Sequence, residues 1–177
     1  MMLRLRLAKS MMEREEGMNH LWIQLLPEEG STVEKAEVRI QLPTGLYRSP
    51  NLNGHEESES SGILINREAQ GKDALLELYT QHAVHSDESF VIVTVSFKDS
   101  EDRWIELSDR IVIRFVAEEE MGETLELDQQ VIKRVKELRN SAAEWPDSDD
   151  LTISPPRTYE LRNNKYAYLE QLYRVDF

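Results

Sequence analysis

At 177 residues with no cysteine, the chain is long enough to bury a core without cross-links, and it has no thiol for a disulfide, for nucleophilic catalysis or for zinc. Its 34 acidic residues against 21 basic ones give a formal charge of −13, a field that repels nucleic acid and anionic membrane and reads as a solubilising surface. No run approaches the roughly 20 apolar residues of a membrane-spanning helix, and the N-terminal alternation of leucine with charge lacks the apolar core of a signal peptide, so a cytoplasmic protein is expected.

Residues 3–8 and 20–26 read as two strands, with Leu3, Leu5 and Leu7 alternating against Arg4 and Arg6 in the first. Between them, Ser10 to Gly17 has helix-forming residues ending in glycine, which suits a helical turn or an open loop equally. Pro27-Glu28-Glu29-Gly30-Ser31 predicts a turn. In Ala36-Glu37-Val38-Arg39-Ile40-Gln41-Leu42 four apolar side chains share one face and three polar ones the other, the period of a half-buried antiparallel strand. Pro43-Thr44-Gly45 ends it, and the polar, glycine-bounded stretch from Pro50 to Gly62 predicts an exposed loop or hairpin tip.

Further strands are expected at 63–65, 74–79, 90–97, 104–107 and 111–116, with Lys98 to Asp102 as a hairpin connection. Val91, Val93, Val95 and Phe97 line one face of the 90–97 segment, which places it near the middle of a sheet. Seven or eight strands at about ten-residue spacing, with no helices between them, favour an all-β, Ig-like antiparallel β-sandwich.

The pattern changes after residue 117. Beyond the acidic run 118–123, apolar residues at 131, 132, 135, 138 and 142 follow a helical period, with Asp128 as N-cap and Leu127 and Ile132 placed as a hydrophobic staple. Lys133, Arg134, Lys136 and Arg139 form a basic stripe that suits a solvated face near the helix C-terminus. A proline-rich acidic connector follows, then a tail holding four of the six tyrosines. The expected organisation is therefore a sandwich domain at 1–117, an acidic segment and amphipathic helix packed on it at 118–143, and a connector with tyrosine-rich tail at 144–177.

Chemistry is sparse. His82 and His85 are three apart and so point to opposite faces of a strand. His55-Glu56-Glu57 lacks a second histidine at zinc-protease spacing, and Asp147, Asp149 and Asp150 lack the glycine and closing glutamate of a calcium loop. There is no nucleophile elbow, phosphate-binding loop or dinucleotide fingerprint. No catalytic residue, cofactor or metal is assigned.

The segment Ala36 to Leu46, with its Leu42-Pro43-Thr44-Gly45, a polar loop, and the valine-rich strand Val91 to Phe97 followed by Lys98-Asp99 resemble the small β-sandwich found beside von Willebrand factor A domains in bacterial proteins. The resemblance spans about Val33 to Arg139. It implies an accessory, non-catalytic sandwich, since the Asp-x-Ser-x-Ser metal-adhesion motif of the A domain itself is absent.

The function expected is thus a non-enzymatic protein-interaction or assembly module. It would bind an unidentified protein partner, or a second copy, through a sheet edge or through Tyr166, Tyr168, Leu169, Leu172 and Tyr173 of the tail. Nucleic acid and membrane are not expected as partners. The alternative is a small-ligand or carbohydrate-binding sandwich that stacks its ligand on Trp22, Trp104 or Trp145. A third reading, a hydrolase, would need two of the scattered carboxylates to converge in a cleft.

Overall fold

A computed structural model describes residues 1–26, 35–66, 72–99, 101–122 and 125–143, the last three by their backbone alone. The chain divides into two compact units, Met1–Trp145 and Pro146–Phe177. The second lies outside the described residues, as do the expected turn at 27–31, Trp145, the acidic cluster Asp147, Asp149 and Asp150, and the tail residues Tyr166, Tyr168, Leu169, Leu172 and Tyr173.

The first unit is an all-β sandwich followed by one helix. Its strands are β1 (Met2–Leu7), β2 (Met12–Glu13), β3 (Met18–Leu26), β4 (Lys35–Gln41), β5 (Leu46–Arg48), β6 (Glu56–Glu57), β7 (Ile63–Asn66), β8 (Asp73–Thr80), β9 (Glu88–Lys98) and β10 (Trp104–Val116). They form a four-stranded sheet in the order β1-β3-β8-β5 and a six-stranded sheet in the order β2-β10-β9-β4-β7-β6. Every pairing is antiparallel except that of β2 with β10, where Phe115 and Val116 lie beside Met12 and Glu13.

Alternation builds the core. Leu21, Ile23 and Leu25 of β3 and Ala74, Leu76 and Leu78 of β8 face Val38, Val91, Val93, Val95 and Ile113 of the other sheet, all of them buried. Their polar neighbours along each strand point outward, because successive side chains of a strand alternate between faces. β9 sits between β10 and β4, which buries its valine face fully and leaves Thr94 on the wetter side.

The helix α1 (Gln129–Ala143) covers the outer face of the four-stranded sheet. Asp128 caps it, its Oδ1 accepting from the backbone N–H of Gln130 at 3.0 Å and of Val131 at 3.3 Å. Val131 and Val135 are buried against Leu75 and Ala8, with Trp22 and Leu52 at the margin. The staple did not form as expected. Leu127 remains 48% exposed and instead makes an isolated bridge with Lys9, while Ile132 packs on the sheet.

Two local expectations are corrected. Residues 10–17 form neither a helical turn nor an open loop, because Met12 and Glu13 pair with the end of β10 and Met12 is buried in the core. Gly17 serves close packing there and caps no helix, since a Cβ on it would lie 2.2 Å from the carbonyl oxygen of Glu13. The segments 104–107 and 111–116 are one continuous strand. Ser108-Asp109-Arg110 reads as a break by composition, yet it continues the ladder opposite Thr94, Val93 and Ile92.

Residues 50–62 hold the expected hairpin tip, Ser58 N–H donating to the carbonyl of Gly62 and Ser61 N–H to that of Ser58, and the stretch leading to it is tied down. Asn51 is buried, with its amide Nδ2 donating to the carbonyl of His55 at 2.8 Å and its Oδ1 accepting from the N–H of His55 at 2.8 Å. β6 lies inside this stretch and pairs with β7. No helix among the described residues is long and apolar enough to cross a membrane.

Candidate functional site

A sandwich has two flanks where one sheet's last strand faces the other's. On one flank stand β5 and β6, and a polar clamp joins them. Arg48 of β5 donates from Nη2 to Glu57 Oε2 of β6 at 2.9 Å and to the carbonyl of Ser61 at 2.8 Å. Glu57 Oε1 also accepts from the N–H and the side-chain Nδ2 of Asn51, at 2.8 and 2.9 Å. The Arg48 hydrogen bonds hold the Glu57 carboxyl at a pKa of about 2; burial opposes the shift and the bonds from Asn51 assist it. This flank is closed.

On the other flank β1 and β10 approach each other, with no such clamp among the described residues. β1 pairs only with β3, and β10 is paired on its far side only at Phe115 and Val116, among the described residues. Two rows of unpaired backbone groups therefore run along this side. Between them Leu3, Leu5 and Leu7 of β1 and Ile105, Leu107 and Ile111 of β10 are only half-buried, although they lie on the core faces of their strands. A shallow groove of about 430 Å³ beside Arg6, Leu7, Leu127 and Asp128 lies at the end of β1.

β10 carries a safeguard. Asp109 lies opposite Val93, hence on the core face, yet it is exposed. A charge pointing inward on an edge strand opposes the docking of a further apolar strand there. β1 has no inward charge: its arginines point outward, and Arg6 is held by Asp128, with Nη2 2.7 Å from Oδ2.

The face beneath α1 holds the densest polar cluster. Asp73 Oδ2 accepts from Trp22 Nε1 at 2.7 Å and from Arg134 Nε at 2.8 Å, while its Oδ1 accepts from Arg134 Nη2 at 3.0 Å. These bonds raise the pKa of the Arg134 guanidinium. Arg139 reaches Glu77 at 3.3 Å. Of the basic stripe expected to be solvated, Arg134 turns down to the sheet and fastens the helix, while Lys133, Lys136 and Arg139 stay exposed. Burial lowers the pKa of His20, and Glu77, 3.7 Å away, pulls against it. His20 Nε2 and Gln24 Oε1 are buried without a hydrogen-bond partner among the described residues.

Of the tryptophans, Trp22 packs at the edge of the helix contact with its N–H already used, and Trp104 is 71% exposed on β10. His82 and His85 are exposed in the β8–β9 connection, and the described residues hold no group of three His, Cys, Asp or Glu suited to a metal ion. His55 is engaged in the loop, with Nε2 2.8 Å from the carbonyl oxygen of Asp73. Sequence reasoning missed the Asp73 and Glu57 clusters, because both join residues distant in sequence or hidden inside a polar loop.

No family model matches the chain, and no curated protein matches it. Among solved structures, it is similar to the major pilin subunit of Bacillus cereus, at 13% identity and a TM-score of 0.45, over 65% of this chain and 41% of the pilin. It is also similar to the collagen-binding subdomain of the Enterococcus faecalis surface protein ACE, at 8% identity and a TM-score of 0.37, over 55% of this chain and 87% of that one. A third is the full-length major pilin SpaD of Corynebacterium diphtheriae, at 8% identity and a TM-score of 0.35, over 62% of this chain and 35% of the pilin. The chain thus spans about two fifths or less of the two pilins.

These neighbours are two pilins and a subdomain of a surface protein, and the likeness is one of fold. The cytoplasmic location expected from the sequence is withdrawn, these neighbours being pilin and surface-protein domains. That expectation leaned on the leucine–arginine alternation of residues 3–7, which builds β1 and carries no information on export.

Proposed function

We propose that this chain is a non-enzymatic protein-interaction or assembly module that engages a protein partner along the open flank of its sandwich. The observation that carries the reading is the contrast within one domain: β5 and β6 are clamped by Arg48 and Glu57, whereas β1 and β10 leave unpaired backbone and six half-buried apolar side chains between them. Adding a strand at such an edge gives main-chain affinity, with alternate side chains setting specificity. The tyrosine-rich tail is the second element of the proposal, supported by its composition, with Tyr166, Tyr168, Leu169, Leu172 and Tyr173 as anchors. An accessory role of this kind also fits the resemblance to sandwiches beside von Willebrand factor A domains. The small-ligand reading keeps one described platform, Trp104.

The test is an affinity pull-down from native lysate with the full chain, the flank variants Leu5→Lys and Leu107→Lys, and a chain lacking 159–177, each checked for an unchanged melting transition. A partner held by the full chain and lost by a folded flank variant supports the edge; loss with the tail deletion alone moves recognition to the tail. Retention by all of them, or an empty pull-down, overturns the proposal.

A further inference from the structure

The hydrogen-bond phase of the two open edges distinguishes them. The N–H of Ala8 donates to the carbonyl of His20 at 2.9 Å, so in the antiparallel β1–β3 register the even residues of β1 turn their backbone groups toward β3. Leu3, Leu5 and Leu7 consequently turn theirs to the open side, and the same residues carry the half-buried core-facing side chains. In β10 the phase is reversed. Asp99 N–H donates to the carbonyl of Arg103, so the odd residues bond to β9, and the outward amides belong to Trp104, Glu106, Ser108 and Arg110. A strand added to β10 would also have to set its own core-facing residues beside Asp109. β1 is the receptive edge.

Two observations bear on what it receives. Arg4 stands exposed on the outer face of β1, with no ion pair or hydrogen bond among the described residues. Just past the strand, the chain's own segment Leu125-Glu126-Leu127-Asp128 already lies antiparallel on the same side, Asp128 N–H donating to the carbonyl of Ala8 at 2.9 Å and Ser10 N–H to that of Glu126 at 3.0 Å. That segment alternates leucine with acid, and its last carboxylate pairs with Arg6. A second copy of β1 fits poorly. In the two antiparallel registers that overlap most of the strand, Arg4 would face Arg4 or Arg6 of the other copy, and like charges directly opposed are destabilising.

We infer that Leu3–Leu7 accepts an extended segment of a partner protein in which apolar residues alternate with carboxylates, the apolar side chains lying over Leu3, Leu5 and Leu7 and a carboxylate beside Arg4. This rests on the open flank being the interaction surface.

The test uses the full chain and two capped nonapeptides, one alternating leucine with glutamate and the other leucine with lysine, read by fluorescence anisotropy and by hydrogen exchange at single residues. The glutamate peptide should bind about tenfold tighter, the swing of an opposite-charge to a like-charge cross-strand pair, and should slow exchange of the Leu3, Leu5 and Leu7 amides. Arg4→Glu should reverse the preference. The outcome is discriminating because a net charge of −13 would by itself draw in the lysine peptide. Equal binding, a preference for lysine, no binding, protection at Trp104, Glu106 and Ser108 in place of β1, or an Arg4→Glu variant with unchanged preference overturns the inference. If partner capture is still lost in Leu107→Lys, the interaction reading survives that failure; if the flank variants retain the partner and only the tail deletion loses it, this inference falls and recognition moves to the tail; if every variant retains it, both fall.

Discussion

The two flanks of the sandwich solve one problem in opposite ways. On the β5–β6 side, where both edge strands are only two or three residues long, Arg48, Glu57 and Asn51 join the sheets through charge-assisted bonds that also satisfy the loop backbone. On the β1–β10 side the strands are long, six and thirteen residues, and no polar group joins them among the described residues, so apolar side chains stay half open. A closed edge contributes to stability, and an open one keeps its main-chain groups available to a partner. The difference teaches that the flank without a clamp is the one to probe for function and the clamped flank the one to probe for folding.

The comparison breaks first if the clamp contributes nothing. Arg48→Ala leaves Glu57 Oε2 and the carbonyl of Ser61 without the Arg48 donor, and the Glu57 charge without its cation, in a site where the Arg48 side chain is 13% exposed. A loss of about 2–3 kcal/mol is expected in urea denaturation. A value near zero would mean that the flank is held by the β6–β7 ladder alone.

Acid sharpens the same point. Glu57 has its carboxyl near 2 in the folded chain, against the ordinary 4.5 that the unfolded chain restores. The folded state therefore binds fewer protons between these values, so the stabilisation is fully present above about pH 4.5 and is lost as pH falls toward 2. Allowing for solvent screening of a carboxylate that is 24% exposed, about 1–2 kcal/mol should disappear across that window. Glu57→Gln should abolish that part of the acid dependence, read from chemical denaturation midpoints at successive pH values.

The open flank should be nearly indifferent by comparison. Leu5→Ala removes a half-buried side chain at the edge and should cost about 1 kcal/mol, whereas Ile23→Ala, fully buried on the neighbouring strand, should cost about 2–5 kcal/mol. Equal losses in thermal or urea unfolding would show that the flank is packed as tightly as the centre.

Much of this architecture is legible in the sequence because side-chain alternation is a local signal. Val91, Val93, Val95 and Phe97 state their burial through spacing alone, and Asp128 states the start of α1 through its capping chemistry. The features that separate the flanks are not local. Asn51 and Glu57 lie in a stretch whose composition is that of an exposed loop, and only the path of the backbone brings Arg48 onto them. Arg134 looks like part of a solvated stripe until Asp73, 61 residues away in sequence, is placed beneath it. Edge status is equally hidden, since β1 and β3 share the same alternation and only pairing order makes one an edge and the other central.

The smallest effect on stability concerns Asp109. It is exposed and, among the described residues, bonds only the neighbouring N–H of Arg110, at 2.8 Å, so Asp109→Val should change unfolding free energy by no more than about 0.5 kcal/mol. Its effect on association should be plain. With the inward charge gone, β10 would present Ile105, Leu107, valine at 109 and Ile111 as one apolar row beside its outward amides, the kind of edge that recruits further strands. Light scattering against concentration should show the variant associating where the parent chain does not. If both behave alike, Asp109 does not guard β10, and on that count β10 is as open to a further strand as β1.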